Sequence, residues 1–214
     1  MILNCEQLYL STQNPKINTI TLDLLREYYE IYLNPYIYKY QIADANLSPT
    51  FKTDIELRFD KDNFCHLLGI ESTLRYSVSR SELEKYKGQY GWNNIQNQIL
   101  DFKFIKSKNK RGFTDNKSRY VFFYLIPKLV ECPQGVLYDP SRVMGKTKVD
   151  CELLFYDEFQ RAYVHIGIKK DEALGYFIPK TFLIEKITDI NDGLKYIADQ
   201  QKIIVNKVSR IVID

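Results

Sequence analysis

The spacing of apolar residues changes along the chain and predicts helices first and strands later. In "TITLDLLREYYEIYL", residues 19–33, apolar side chains recur every three to four positions, which predicts an amphipathic helix capped by Thr21. The next runs, "YIYKYQIA" and "TDIELRFD", alternate apolar and polar residues and therefore predict strands. One face of the second strand should be apolar, formed by Ile55, Leu57 and Phe59.

The middle of the chain has mostly helical periodicity. A helical turn is predicted at 63–68, and longer helices are predicted at 80–87, 92–105 and 119–130. The basic stretch at 106–119 separates the last two helices and is expected to be a loop.

From residue 135 onward, short aromatic and β-branched runs are separated by Pro, Gly and Asp, which predicts an antiparallel meander. The last run, "QKIIVNKVSRIVID", is compatible with either a strand or a helix. Together these patterns predict an α+β fold, in which N-terminal and central helices pack on a C-terminal antiparallel sheet.

Composition limits the class of protein. A chain of 214 residues is long enough to bury a substantial core, and its longest apolar run, "VFFYLIP", is too short to cross a bilayer. The amino terminus lacks a basic start followed by an apolar stretch, so no secretion signal, no membrane partner and a cytoplasmic location are expected. The thiols should then be reduced, and their scattered positions predict neither a metal site nor a cofactor; they are Cys5, Cys65, Cys132 and Cys151.

Positive charge is concentrated rather than large, since the net charge is only +3. Between 106 and 119 the basic side chains greatly outnumber the single acidic one, Asp115. Such a cluster is most often a solvated loop, but it could also face a polyanion, because lysine and arginine gain from counterion release along a nucleic acid. The candidate nucleic-acid-binding residues are Lys108, Lys110, Arg111, Lys117, Arg119 and, in a later strand, Lys169.

His66 is one of only two histidines and lies within "RFDKDNFCHLLGI". Asp62 or Asn63 suits a helix cap there, and Gly69 suits a left-handed exit from the helix. At about 100° per residue the imidazole lies roughly opposite the apolar side of the helix, so packing does not require a histidine. It is either a structurally idle histidine or a group that transfers protons.

His165 is the second histidine, in "AYVHIGIKK". Strand alternation places it on one face with Tyr163, Gly167 and Lys169. Imidazole can remove or supply a proton near neutral pH, and lysine can stabilise negative charge on phosphorus, so these residue types suit phosphodiester cleavage. A half-exposed sheet face with mixed polar residues is the alternative. No phosphate loop, dinucleotide fingerprint or nucleophile elbow is present.

Several of these stretches occur in an order that resembles the phage-associated branch of the barnase–EndoU–colicin–RelE (BECR) nuclease fold. The first family signature, F-x-x-x-N-F-x-H-L-x-G-I, is matched by Phe59, Asn63, Phe64, His66, Leu67 and Gly69. Later, looser motifs are matched by Lys148 in a strand signature, Thr181 in a P-x-[ST]-F turn, and Gln200, four residues after Tyr196. The likeness covers roughly residues 50 to 210. It implies a BECR-like nuclease domain at 51–214 with a helix and strand extension at 1–50, together forming one compact unit.

The resemblance implies a metal-independent, toxin-like ribonuclease of a phage or mobile element, in which the 2′-hydroxyl of RNA attacks the adjacent phosphate. His66 would be the main catalytic residue, Lys148 would bind phosphate, and Thr181 and Gln200 would orient it. His165 is the further catalytic candidate. RNA would be the substrate, and an antitoxin, an immunity protein or a host defence protein could be a partner.

The chain departs from the family where the strand signature has Ala-Asp-Tyr, because it has Cys151, Glu152 and Leu153 there. A catalytically inactive relative that binds nucleic acid or inhibits a host defence factor is therefore the alternative function.

Overall fold

The computed structural model describes residues 1–44 and 52–213. They group into two compact units. We call Met1–Asn34 with Asp60–Tyr124 the helical unit, and Pro35–Phe59 with Leu125–Asp214 the sheet unit. Each unit draws on residues before and after position 50. The sequence predicted an extension at 1–50 and a nuclease domain at 51–214. That domain boundary is a separate matter from the two units and stays a prediction.

The helical unit consists of short helices. Two 3-10 turns, Ile17–Thr19 and Glu84–Tyr86, accompany nine helices, which are α1 Cys5–Tyr9, α2 Leu22–Tyr32, α3 Lys61–Leu67, α4 Ile70–Leu74, α5 Arg80–Leu83, α6 Gly88–Gln96, α7 Phe102–Lys108, α8 Lys110–Asp115 and α9 Lys117–Phe122, counted over the described residues.

The predicted N-terminal helix is confirmed as α2. Thr21 caps it, since its hydroxyl accepts a hydrogen bond from the Leu24 backbone N–H at 3.0 Å. Its buried side carries Tyr29, whose ring packs edge-on against Phe64 and Trp92 with centroids 5.3 and 6.0 Å apart. Aromatic packing of this kind stabilises the core beyond simple burial of area, so these rings connect α2, α3 and α6.

Helix α3 contains His66 and begins earlier than the sequence predicted. Asp60 is its N-cap, and the Asn63 side chain accepts a hydrogen bond from the Asp60 backbone N–H at 3.1 Å. The expected cap at Asp62 or Asn63 is therefore wrong, and Asn63 instead takes the N3 position, which is the reciprocal position of the capping box. Gly69 ends the helix in the left-handed conformation, as predicted, with φ of 68°.

The basic stretch 106–119 is not the expected loop, because it lies in α7, α8 and α9. Asn109 begins α8 by accepting a hydrogen bond from the Gly112 backbone N–H at 2.8 Å. Apolar side chains recur through the stretch and are buried, namely Ile105, Phe113 and Tyr120. These buried positions stabilise helix despite the many lysines between them. The helix predicted at 92–105 is likewise interrupted, since α6 ends at Gln96 and α7 begins at Phe102.

The sheet unit contains the strands, together with one helix, α10 Ile126–Glu131, and 3-10 turns at Phe123–Leu125 and Pro140–Arg142. Its strands are β1 Tyr36–Asp44, β2 Lys52–Arg58, β3 Gln134–Leu137, β4 Leu153–Phe159, β5 Ala162–Lys170, β6 Phe177–Lys186 and β7 Gln201–Val212. The last run of the sequence, which was compatible with strand or helix, is thus a strand.

The sheet closes in the order β1-β2-β6-β5-β4-β3-β7, where an antiparallel meander was expected. Pairing is antiparallel except between β2 and β6, which meet in parallel at Leu57 and Phe177. Closure results from the length of β7, which pairs with both β1 and β3. The structure is therefore α+β, with a closed sheet.

One face of this sheet is apolar and fully buried. Val164 and Ile166 on β5 have no exposed surface, and the Tyr40 ring packs against Phe155 with centroids 5.2 Å apart. The Tyr40 hydroxyl donates to the Val130 carbonyl at 2.7 Å, which satisfies its polar atom inside the core. The opposite face of β5 carries His165.

Candidate functional site

The predicted site residues are divided between the two units. His66 and most of the basic candidates lie in the helical unit, whereas the sheet unit contains Lys148, His165, Lys169, Thr181 and Gln200.

Strand register places His165 and Thr181 on one face of the sheet. His165 is opposite Tyr156 on β4 and Leu183 on β6, while Gly167 is opposite Thr181. Residues directly opposite each other on paired strands point to the same face. The structure therefore brings two of the predicted residues together on the face named from the sequence pattern.

Two segments, 138–152 and 187–200, cover that face and form a second apolar core with it. Its buried members are Val136, Tyr138, Val143, Cys151, Leu154, Tyr156 and Ile197. Gln200 connects the two segments, because its Oε1 accepts from the Asp139 N–H at 2.8 Å and its Nε2 donates to the Asp139 carbonyl at 3.0 Å. Gln200 is buried, and both polar atoms of its amide are used in this contact.

The His165 imidazole lies within a group of tyrosine rings and has no exposed surface. The centroids of Tyr156, Tyr163 and Tyr196 are 6.2, 6.3 and 5.9 Å from its own. Burial lowers the pKa of His165 to about 4, and the nearby Leu183 backbone acts in the opposite direction. Neither ring nitrogen makes a hydrogen bond of normal geometry with the described residues. The ring is neutral at pH 7 and does not reach solvent.

Gly167 allows close packing beside His165. A Cβ at this position would lie 2.6 Å from Thr181 Cγ2 and 2.8 Å from Cys151 Sγ, which is closer than real contacts allow. Thr181 is half-buried and Cys151 is buried. Burial raises the pKa of the Cys151 thiol to about 12, so it stays protonated and unreactive.

The two candidate lysines of the sheet unit, Lys148 and Lys169, lie in or beside the covering segment 138–152. Lys169 Nζ donates to Asp150 Oδ1 at 2.9 Å, and this contact raises the pKa of Lys169. Lys148 is exposed and lies two residues before Asp150, on the loop that also exposes Lys146. The loop thus presents two ammonium groups to solvent, while the charge of Lys169 is partly neutralised.

In the helical unit, His66 lies in the last turn of α3 and is exposed. The neighbouring Phe64, Leu67 and Leu68 have no exposed surface. The prediction that the imidazole lies opposite the buried side of its helix is confirmed.

Arg119 lies at the same end of α3. A Cβ on Gly69 would be only 2.6 Å from Arg119 Nη1 and 2.7 Å from Asn116 Oδ1, so both side chains lie against this glycine. Asn116 Nδ2 also donates to Thr73 Oγ1 at 2.9 Å. The structure thus places a guanidinium next to the glycine that follows His66 by three residues. The sequence did not predict that Arg119 lies beside Gly69. The only signal for this contact was the glycine of the first family signature, because a residue without a side chain allows a close approach.

The other basic candidates are exposed on α7, α8 and α9. Lys108 Nζ is 3.7 Å from Glu82, and Arg111 Nε is 3.9 Å from Asp115. Exposed pairs at such distances contribute little to stability and are easily exchanged for a phosphate. Lys110 and Lys117 are also exposed.

Two features are absent from the described residues. No group of three or more His, Cys, Asp or Glu side chains is arranged to hold a metal ion. No helix in this part of the chain is long and apolar enough to span a bilayer.

Comparison with known proteins identifies a family. Residues 23–211 match the family described as phage-Barnase-EndoU-ColicinE5/D-RelE like nuclease4. No curated protein matches the sequence, and no solved structure matches it. The family match covers most of the 214 residues and includes both units. The chain therefore belongs to this phage-associated family of barnase–EndoU–colicin–RelE-like nucleases.

Proposed function

We propose that this nuclease cleaves RNA without a metal ion, by attack of the 2′-hydroxyl on the adjacent phosphate. A base takes the proton of the 2′-hydroxyl, the new P–O bond forms, and the bond to the 5′-oxygen breaks as an acid protonates that oxygen. The products are a 2′,3′-cyclic phosphate and a 5′-hydroxyl. The observation that carries this proposal is the exposed imidazole of His66 at the end of α3, where the Arg119 guanidinium lies against Gly69.

His66 is the proton-transfer group of this proposal. An imidazole can act as base or acid near neutral pH, and this one is exposed, so it can reach a substrate. Arg119 supplies a planar, permanently charged group that binds phosphate through two N–H donors and stabilises the charge that develops on phosphorus. Neither role needs a metal ion or another cofactor.

The sheet unit contributes phosphate binding and positioning. The exposed Lys148 binds a backbone phosphate, and Lys169 joins it when Asp150 is displaced. Gln200 and Thr181 act as positioning residues. Gln200 holds the covering segments together through Asp139, and Thr181 packs against Gly167. We assign His165 to the same group, since its ring is buried, is neutral and packs among the tyrosine rings of the covered face.

The test is an RNA-cleavage assay in EDTA, with matched variants. We expect His66→Ala to lower the cleavage rate by about 10²- to 10⁴-fold, the range typical of a lost general acid or base. Its thermal unfolding temperature should not change, because the side chain is exposed. Arg119→Lys should also slow cleavage, because lysine retains the charge but lacks the second donor.

Lys148→Ala should weaken RNA binding, whereas Lys146→Ala, a change to an exposed lysine two residues away, should have less effect. Full cleavage by His66→Ala would contradict the assignment. Binding without any cleavage by the wild-type protein would instead favour an inactive, nucleic-acid-binding relative.

The toxin-like role is tested in cells. We expect expression of the wild-type protein in bacteria to stop growth and His66→Ala to restore it. The protein partner would be an antitoxin or immunity protein that inhibits this activity, or a host defence protein. Harmless expression of an active wild-type enzyme would contradict a toxin-like role.

A further inference from the structure

The helical unit contains a cavity of about 400 Å³ that no step of the proposed cleavage uses. Residues at the start of α2 and between α6 and α7 form its walls. The apolar lining residues include Ile20, Ile95 and Phe102. The polar lining residues are Thr21, Asp23, Gln98, Asp101 and Lys103. A volume of this order with mostly apolar walls and a few polar groups is typical of a site for a small organic group.

Gln98 is unusual because its backbone has φ of 58°, in the left-handed region. The chain leaves α6 through two hydrogen bonds, from the Gln98 N–H to the Ile95 carbonyl and from the Ile99 N–H to the Asn94 carbonyl. This pattern is the Schellman motif, and glycine is the usual residue at the left-handed position. This chain has a strained glutamine there instead, and that residue lines the cavity.

The walls suit a flat ring with polar edges. The Phe102 ring packs on Tyr120, with centroids 4.9 Å apart, so it is held in place where it lines the cavity. The carboxylate of Asp101 accepts a hydrogen bond from the Phe104 N–H through Oδ1, at 2.7 Å. A carboxylate has more acceptor sites than this bond uses, and carboxylates accept readily from the amino group of cytosine.

A row of lysines begins at this cavity. Lys103 lines it, and Lys106 lies three residues later on the same helix, so both ammonium groups are on one side of α7. Lys110 follows at the start of α8, and all three lysines are exposed. These three lysines, which we call the lysine row, place exposed positive charge on two consecutive helices, where a phosphodiester backbone could bind.

We propose that the cavity binds one unstacked base of a single-stranded RNA, and that it prefers cytosine to uracil. The inference rests on the proposed function only in taking RNA as the ligand. Asp101 accepts from the cytosine amino group, the Gln98 amide bonds the base edge, and Phe102 packs on its face. The lysine row binds the phosphates that follow. Sequence-specific recognition of RNA commonly uses single-stranded bases held in this manner.

The test measures binding of 2′-O-methyl oligocytidine and oligouridine, which cannot be cleaved by 2′-hydroxyl attack. We expect the wild-type protein to bind oligocytidine about tenfold more tightly, as loss of one charged hydrogen bond predicts. Cytidine monophosphate should compete, but more weakly than the oligomer, because it cannot reach the lysine row. Equal or stronger binding of the mononucleotide would overturn the RNA assignment, and equal binding of the two oligomers would overturn the base preference.

Two glutamine variants separate binding from folding. Gln98→Gly should raise Tm, because glycine adopts the left-handed conformation without strain, and it should reduce the cytosine preference at least threefold. Gln96→Ala, at an exposed position absent from the cavity wall, should change neither. Wild-type discrimination by Gln98→Gly would overturn the subsite even if the enzyme cleaves RNA. Discrimination that depends on Gln98 in a protein that cleaves nothing would support the subsite and remove the nuclease proposal instead.

Discussion

At the scale of single residues, His165 makes stability depend on pH. Its pKa is about 4 in the folded protein and 6.5 ordinarily, because burial disfavours the charged ring. The unfolded chain therefore binds a proton more readily than the folded one between these values. The contribution of His165 to the free energy of unfolding is therefore fully present above pH 6.5. It falls by an amount on the order of 3 kcal/mol as the pH falls towards 4.

We expect His165→Phe to remove this part of the pH dependence, since phenylalanine has a similar size and does not titrate. The measurement is the free energy of unfolding by urea at pH 7 and at pH 4.5, for wild type and variant. His66→Ala, which changes an exposed side chain, is the control and should retain the wild-type loss. Equal pH dependence of wild type and His165→Phe would show that the imidazole is not buried as described.

At Gly167, the absence of a Cβ atom allows the close packing of Thr181 and Cys151. Gly167→Ala should destabilise the protein by about 1–3 kcal/mol, because the new methyl group would meet Thr181 Cγ2 and Cys151 Sγ. Thr181→Ser deletes Cγ2, so the double variant should recover part of the loss. Chemical denaturation of the two single variants and the double variant gives this coupling. Simple additivity would contradict the close approach.

Residue-scale prediction worked where local geometry decides. Helical spacing placed His66 opposite Phe64 and Leu68, and the structure confirms it. Strand alternation gave the face of His165 but could not give its burial, because the tyrosine that completes its surroundings, Tyr196, comes from a distant covering segment. The catalytic roles of these residues stay predictions.

At the scale of elements, the Asn109 cap decides whether the basic stretch is helical. Its Oδ1 accepts from the Gly112 N–H, and its Nδ2 donates to the Thr73 carbonyl at 2.7 Å. Asn109→Ala should cost about 1–2 kcal/mol, since it removes a helix cap and a contact to α4. Urea denaturation tests this. The control is Asn97→Ala at an exposed position, which should stay within about 0.5 kcal/mol of wild type.

The same element shows why composition misled the prediction. Lysine, asparagine and glycine between 106 and 119 are typical of a loop, but asparagine is also a helix cap, and the buried residues Phe113 and Tyr120 hold the short helices in place. The interruption near Gln98 was missed for the opposite reason. Glutamine favours helix, and a helix end is usually recognised by a glycine at its left-handed position. Gln98 occupies that position here, so the local sequence gives no signal that the helix ends.

At the scale of the whole molecule, alternation predicted most of the strands but not the closure of the sheet. Closure needs β7 to pair with both β1 and β3, and such long-range pairing leaves no local pattern. The family was recognisable because its short motifs occur in a fixed order along the sequence, which can be read without knowing the fold. The match over 23–211 confirms the family. Family membership supports a nuclease function. Cleavage of RNA through its 2′-hydroxyl is the proposal that remains to be tested.

The most direct test uses two RNA substrates that differ by one 2′-hydroxyl at a mapped cleavage position, incubated with the protein in EDTA. The account predicts that the ribose-containing substrate is cut to a 2′,3′-cyclic phosphate and a 5′-hydroxyl, and that the deoxy-substituted substrate is not cut at that position. Cleavage of the deoxy-substituted position, or cleavage that requires an added divalent cation, would contradict it.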